Sequence, residues 1–192
     1  MAVIFGALVF VGIIGLVMFF LGISIYNNLV ALNKEIDRSW ANIDVILKQR
    51  FDEIPQLVQV IEQSAKFEAG LIKQVTDART RYGQASTINE KVQAANEMSF
   101  ALKGIFAIGE NYPDLKTNQN FTQLQTRVSD LENSISDRRE NYNSSVTNYN
   151  IRIHQIPDVI FAKILGYRDR DLYKIAAEET TRPNLKMNLP FN

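Results

Sequence analysis

The chain has 192 residues, room for one domain and an anchoring segment but not for two full domains. Lys+Arg and Asp+Glu tie at 21 each, so no net field draws the chain to nucleic acid or to an acidic surface. With no Cys, disulfides, thiolate nucleophiles and Cys-ligated metals are excluded; with few Gly and Pro beyond residue 22, the composition predicts an all-α protein.

From Ala2 to Ile25 the only polar side chain is Ser24, and no charge precedes Lys34. As a helix these residues reach roughly 36 Å, more than the ~30 Å of a bilayer's hydrocarbon core. A cleaved signal peptide would need a basic leader, a shorter apolar run and a small-residue cleavage site, and Gly22-Ile-Ser24-Ile-Tyr26 is a poor one. The expectation is an uncleaved transmembrane helix, residues 1–26, ending at an interfacial Tyr26. Lys34, Arg38, Lys48 and Arg50 follow the span, and the positive-inside bias then sets the N-terminus out and the remainder in the cytoplasm, at the inner membrane of the cell. Gly15 and Gly22 share a helix face, a weak signal for a dimerising seam.

Beyond the span an apolar series runs Leu29, Leu32, Ile36, Trp40, Ile43, Leu47, Phe51, Ile54, Val58, Ile61, Ala65, in steps of three and four that average the helical period. It continues through Leu71, Ile72, Val75, Ala78 and Tyr82 to Gly83, with Pro55 expected to bend or interrupt the helix near Asp52–Ile54. Thr87-Ile-Asn-Glu90 reads as a capping box opening a second helix, about Thr87 to Asn111, that ends at Tyr112-Pro113. A third helix starts near Thr117–Asn120 and buries Phe121, Leu124, Val128, Leu131, Ile135, Tyr142, Val146, Tyr149 and Ile153 before Pro157. Asp158 to Leu165 reads as a short fourth helix closed by Gly166. The prediction is an antiparallel bundle of three long helices and one short one over residues 27–166, then an extended or disordered tail over residues 167–192.

Catalytic chemistry finds no footing in this pattern. The lone His154 has no second His, no Cys and no carboxylate three or four residues before it, so neither a metal site nor a triad can be assembled around it. It reads as a satisfied or dipole-favoured residue at a helix C-terminus. Carboxylates such as Asp52-Glu53 and Glu178-Glu179 are adjacent in sequence and diverge on a helix, and no Gly-rich phosphate loop follows a strand. Arg138-Arg139 is offset by Asp137 and Glu140, so no basic stripe forms. The reading contains no cofactor, no metal, no small-molecule substrate and no enzyme.

Asn141-Tyr142-Asn143 and Asn148-Tyr149-Asn150 repeat one tripeptide seven residues apart on one helix face. The plain explanation is a core stripe in which each ring is buried, each hydroxyl reaches a partner and the Asn side chains bond nearby helices. The alternative is a recognition surface for another protomer.

Three blocks carry a family resemblance. Tyr26-Asn-x-Leu29-Val30 with Ser39-Trp40-x-x-Ile43-Asp44-Val45-x-Leu47-Lys48-x-Arg50-x-Asp52-x-Ile54-Pro55-x-Leu57-Val58 closely resembles the signature of the LemA family. Glu110-x-Tyr112-Pro113-x-Leu115-Lys116-x-Asn118-x-x-Phe121 and Arg139-x-x-Tyr142-Asn143-x-x-Val146-x-x-Tyr149-Asn150 are similar to its second and third blocks. Departures are small: Ile156-Pro157 where Phe-Pro is usual, Gly166-Tyr167 for Gly-Phe, and Phe67 where His is common. The resemblance implies a bacterial, membrane-anchored helical bundle without established enzymatic activity, its soluble part on the cytoplasmic side.

The residues singled out as structural or interaction candidates are Trp40, Asp44, Lys48, Arg50, Pro55, Tyr112, Pro113, Tyr142, Asn143, Tyr149 and Asn150, with Ala2 and Ile25 bounding the membrane segment. Asp44 and Lys48 form an (i, i+4) pair worth only about 0.3–0.5 kcal/mol when exposed, so the signature calls for more than surface pairing. The polar members Asp44, Lys48, Arg50 and Asp52 are expected to make buried polar contacts to the helix carrying Tyr142 and Tyr149. The expected function is a membrane scaffold that self-associates as a homo-oligomer in the lipid bilayer. The alternative is an adaptor or a regulator of a membrane enzyme, its tail Asn184-Leu-Lys-Met-Asn-Leu-Pro-Phe191 adding as a strand to a protein partner through alternating Leu185, Met187 and Leu189.

Overall fold

The computed structural model describes residues 1–64, 69–109, 112–113 and 117–174. Among the described residues there are five helices: α1 (Ala2–Ser64), α2 (Ala69–Gln84), α3 (Ile88–Gly109), α4 (Gln119–His154) and α5 (Asp158–Leu165). No strand occurs among them. The chain divides into two compact units, one of residues 1–46 with 134–172, the other of residues 47–133 with the described residues from Tyr173.

In the first unit, α1 changes character at one turn. Every large apolar side chain from Ile4 to Ile23 is exposed, between 43% and 72%. The helix is long and apolar enough there to cross a membrane. At Gly22 its face is first covered by the chain itself, since a Cβ at that position would stand 3.1 Å from Phe161 Cε1 of α5. Ile25, Leu29, Ile36 and Ile43 then continue the covered stripe at helical spacing, each almost fully buried. Opposite them lie Tyr142, Val146, Tyr149 and Ile153 of α4, all buried. Trp40 meets Tyr142 edge to face at 5.9 Å, and Ser39 Oγ lies 3.2 Å from Ser145 Oγ.

Helix α5 follows α4 after a short turn that includes a cis Ile156–Pro157 peptide bond. It ends on Gly166 at φ +73°, where a side chain would be strained, and the Tyr167 amide closes the helix on the Ala162 carbonyl at 3.0 Å. Arg152 of α4 forms an ion pair with the buried Asp158 in the first turn of α5. Residues 167–174, expected as the start of a loose tail, carry no helix. They are nonetheless tied down, as described below; residues 175–192, with Glu178-Glu179 and the proposed strand Asn184–Phe191, lie outside the described residues.

In the second unit, α1 continues its stripe with Leu47, Phe51, Ile54, Leu57 and Ile61, all buried. Helices α2 and α3 form a hairpin bridged by Arg81 to Glu97 at 2.7 Å. The capping box is present. Glu90 Oε2 accepts the Ser86 and Thr87 amides at 2.7 and 3.1 Å, while the Glu90 amide donates to Thr87 Oγ1 at 3.2 Å. The backbone donors, that of Ser86 foremost, hold the Glu90 carboxyl below the ordinary carboxylate range. Phe106 meets Phe121 edge to face at 6.3 Å.

Two expectations need correction. The helix expected to run from Tyr26 to Tyr82 is two helices, α1 ending at Ser64 and α2 starting at Ala69, so the long helices number four among the described residues. Residues 65–68, including Ala65 and Phe67, lie outside the described residues. Phe51 stacks on Tyr82 with centroids 4.1 Å apart. In one straight helix, 31 residues would hold those rings roughly 46 Å apart, so the chain has to fold back between them.

Of the bend or interruption expected at Pro55, the interruption does not occur, and α1 runs through it. The ring removes the donor that would reach the Phe51 carbonyl four residues earlier. Arg79 Nε of α2 donates to that carbonyl at 3.3 Å instead. A neighbouring helix thus fills the vacancy that proline leaves.

Candidate functional site

The first unit concentrates its polar contacts on one strap. The Tyr142 hydroxyl donates to the Asp171 carbonyl and the Tyr149 hydroxyl to the Arg168 carbonyl, each at 3.1 Å. Asn150 does both jobs of an amide: its Nδ2 donates to the Arg170 carbonyl and its Oδ1 accepts the Arg170 amide, each at 2.9 Å. The Arg170 guanidinium then turns to α1, where Asn33 Oδ1 accepts from Nη2 at 2.8 Å and Asp37 lies 3.6 Å away. Residues 168–171 are in effect a backbone strip clamped between α4 and α1.

Burial of the two rings has an electrostatic consequence. Desolvation pushes the Tyr142 hydroxyl above the ordinary phenol range, partly offset by the cationic Arg170. Tyr149 is shifted the same way for the same first reason. Both hydroxyls therefore stay protonated and donate. The Asn-Tyr repeats do bury their rings as a core stripe, but the partners of the hydroxyls and of Asn150 are carbonyls and an amide of the strap, not helix side chains. Asn143 is half-buried beside them. His154, last residue of α4, places Nε2 3.0 Å from Asp169 Oδ1 in an exposed pair.

The second unit holds a buried cation. Arg50 is fully buried, and its guanidinium donates to Ser99 Oγ at 2.9 Å, to the Ala95 carbonyl at 2.9 Å and to Glu132 Oε1 in an ion pair. Glu132 lies on α4, the helix that also carries Tyr142 and Tyr149. The single Ser99 hydroxyl proton has two acceptors in reach, Glu132 at 3.0 Å and the Ala95 carbonyl at 3.1 Å. Nearby, Glu53 Oε1 accepts from Arg127 Nε at 2.6 Å. Arg50 bridges three helices through one guanidinium, which needs the flat, multi-donor fork of Arg.

The remaining sequence candidates scatter. Trp40 and Asp44 are half-buried on α1, Lys48 and Pro55 are exposed on it, Tyr112 is half-buried and Pro113 is exposed. Sequence reasoning missed Glu132, Ser99, Arg170, Asn33 and Arg79. One signal was available for the buried cation, because Arg50 stands on the apolar stripe between Leu47 and Ile54. Among the described residues no three His, Asp or Glu side chains gather as a metal site would require.

Comparison with known proteins matches residues 39–187 to the LemA family. Two relatives are magnetosome proteins of Paramagnetospirillum magneticum, MamQ 1 and MamQ 2, each 22% identical over 78% of this chain and 64% of its own length. The magnetosome protein MamQ of Magnetospirillum gryphiswaldense is 22% identical over 74% of this chain and 62% of its own. The chain thus spans less than two thirds of the length of these relatives. The family match takes in the α1 signature with Arg50, the Asn-Tyr helix and the strap it holds, and the chain belongs to the LemA family.

Proposed function

We propose that this protein is a non-enzymatic scaffold, anchored in the cell membrane by residues 2–25 of α1 and self-associating there, with its helical units on the cytoplasmic side. One observation carries the reading: the bare apolar surface from Ile4 to Ile23 gives way, within the same helix, to a stripe that the chain buries itself. Water penalises such a surface, whereas a bilayer accepts it. In the first unit Ser39 pairs with Ser145 and Trp40 with Tyr142; in the second Arg50 pairs with Glu132 and Glu53 with Arg127. Residue numbers that rise on α1 while falling on α4 are the pairing of an antiparallel bundle. The Nη atoms of the buried Arg50 and the carboxylate of the buried Asp158 are spent on side chains and backbone of the chain itself, which suits a rigid support. None of the matching names is that of an enzyme. Lys34 and Arg38, soon after the span, support the cytoplasmic placement.

The test uses intact cells and a single introduced thiol, Ser144→Cys on exposed α4, since the chain has none of its own. The thiol should resist a membrane-impermeant maleimide until the membrane is permeabilised. Labelling in intact cells would reverse the orientation. Cross-linking in native membranes should give dimers or higher species of this chain, and a result of monomer alone would refute self-association.

A further inference from the structure

We infer that α5 is a second membrane contact: a short interfacial helix that seats Ile160 and Ile164 in the lipid headgroup boundary beside the exit of α1. This rests on the anchoring of α1 proposed above and extends it. Asp-Val-Ile-Phe-Ala-Lys-Ile-Leu, residues 158–165, is apolar nearly all round. Its polar side chains are Asp158, taken by Arg152, and the exposed Lys163. A helix of that kind is at home only when covered on every side. The chain covers one side, burying Asp158 and Ala162. The opposite side is bare: Ile160 is 56% exposed and Ile164 77%, one turn apart, and Ile156 just before the helix is 86% exposed.

The occupant of that face follows from where α5 sits. Phe161, between Ile160 and the buried side, is the residue that closes on Gly22. Gly22 lies at the end of the bare segment Ile4–Ile23, whose 20 residues span roughly 30 Å, the thickness of the hydrocarbon core. The chain's own cover of α1 therefore begins at the level where the hydrocarbon ends, and α5 is the element that begins it. The exposed Phe19, Phe20, Ile23 and Tyr26 of α1 stand at that same level. The bare face of α5 extends this surface, and Lys163 suits the phosphate level above it.

Because the chain lacks Cys, one label reports one position. Full-length Ile160→Cys and Ile164→Cys, each carrying an environment-sensitive fluorophore, are reconstituted in vesicles of phosphatidylcholine and phosphatidylglycerol. Both sites are exposed, so folding is expected to be intact, checked by the melting curve. The emission should shift to the blue, be quenched by lipid spin-labelled near the headgroup and resist aqueous iodide, while a label at Glu140→Cys on exposed α4 does the reverse. A label at Phe10→Cys should be quenched by lipid spin-labelled deep in the chain. If iodide quenches positions 160 and 164 and lipid does not, while Phe10→Cys behaves as expected, α5 is off the membrane although the anchor stands. Failure at position 10 removes the anchor and this inference with it. A blue shift that disappears on dilution with excess lipid would show that a second copy covers α5, and would overturn the lipid assignment.

Discussion

Arg50 occupies a position on the buried stripe of α1 where an aliphatic side chain would be expected, and its Nη1 and Nη2 both find acceptors on α3 or α4. Arg50→Ala removes a buried cation and leaves Glu132 without its ion-pair partner, which is expected to cost about 3 kcal/mol in urea unfolding. Arg50→Glu should be worse, by repulsion of Glu132; unchanged melting and assembly in that variant would deny Arg50 its structural role. Arg50→Met combined with Glu132→Leu should recover most of the loss, because Ser99 still satisfies the Ala95 carbonyl. Tyr142 and Tyr149 give a pH signature. Their hydroxyls titrate higher in the folded chain than the ordinary value near 10, so the unfolded state releases protons first as pH rises. Stability is then full below about pH 10 and falls above it. Thermal melts taken from pH 8 to 11 should show that decline, and Tyr142→Phe with Tyr149→Phe should flatten it, at a baseline loss of about 1 kcal/mol per hydroxyl.

At the scale of elements, α1 survives Pro55 because α2 lends a donor. A carbonyl left open by proline costs little if solvent reaches it, but the Phe51 ring is buried and stacked on Tyr82, so water has poor access to that turn. Arg79→Ala should cost about 1 kcal/mol in the native chain and markedly less in a Pro55→Ala background, where the new amide at position 55 takes the carbonyl. Equal costs in the two backgrounds would mean that Arg79 does not substitute for the lost bond. The elements themselves were largely legible. Apolar spacing named most of the buried apolar residues of α1 and those of α4, and Thr87 with Glu90 and Gly166 marked ends that the structure confirms. The division near residues 65–68 was not legible, since the apolar period crosses it and the nearby Gly70 falls inside α2. Nor was the strap at 168–171, whose order comes from its carbonyls and one amide, groups every residue shares. Half of the Arg50 site could be read, because a charge on an apolar stripe demands a partner. Which carboxylate answers is set by the register of α1 against α4, and that register leaves no mark in either helix alone.

For the molecule as a whole, α1 is one hydrogen-bonded element with two kinds of surface. Its first part is exposed, and its later turns are core. If the bare part lies in a bilayer, charge placed at its middle meets hydrocarbon; if it lies in water, the same charge is harmless. Val11→Arg with Ile14→Arg puts two guanidinium groups near the centre of Ile4–Ile23, at a penalty of about 2.5–3.5 kcal/mol each for insertion. Membranes from cells making this variant should release it on extraction with alkaline carbonate, while the native chain and a Ser144→Arg control stay in the pellet. Retention of the double variant would show that α1 does not hold the protein, and would shift the burden to α5 or to a partner. Release accompanied by an unchanged melting curve would say more. The bundle contacts that begin at Gly22 would then stand without the bilayer, which separates what folds the units from what places them at the membrane.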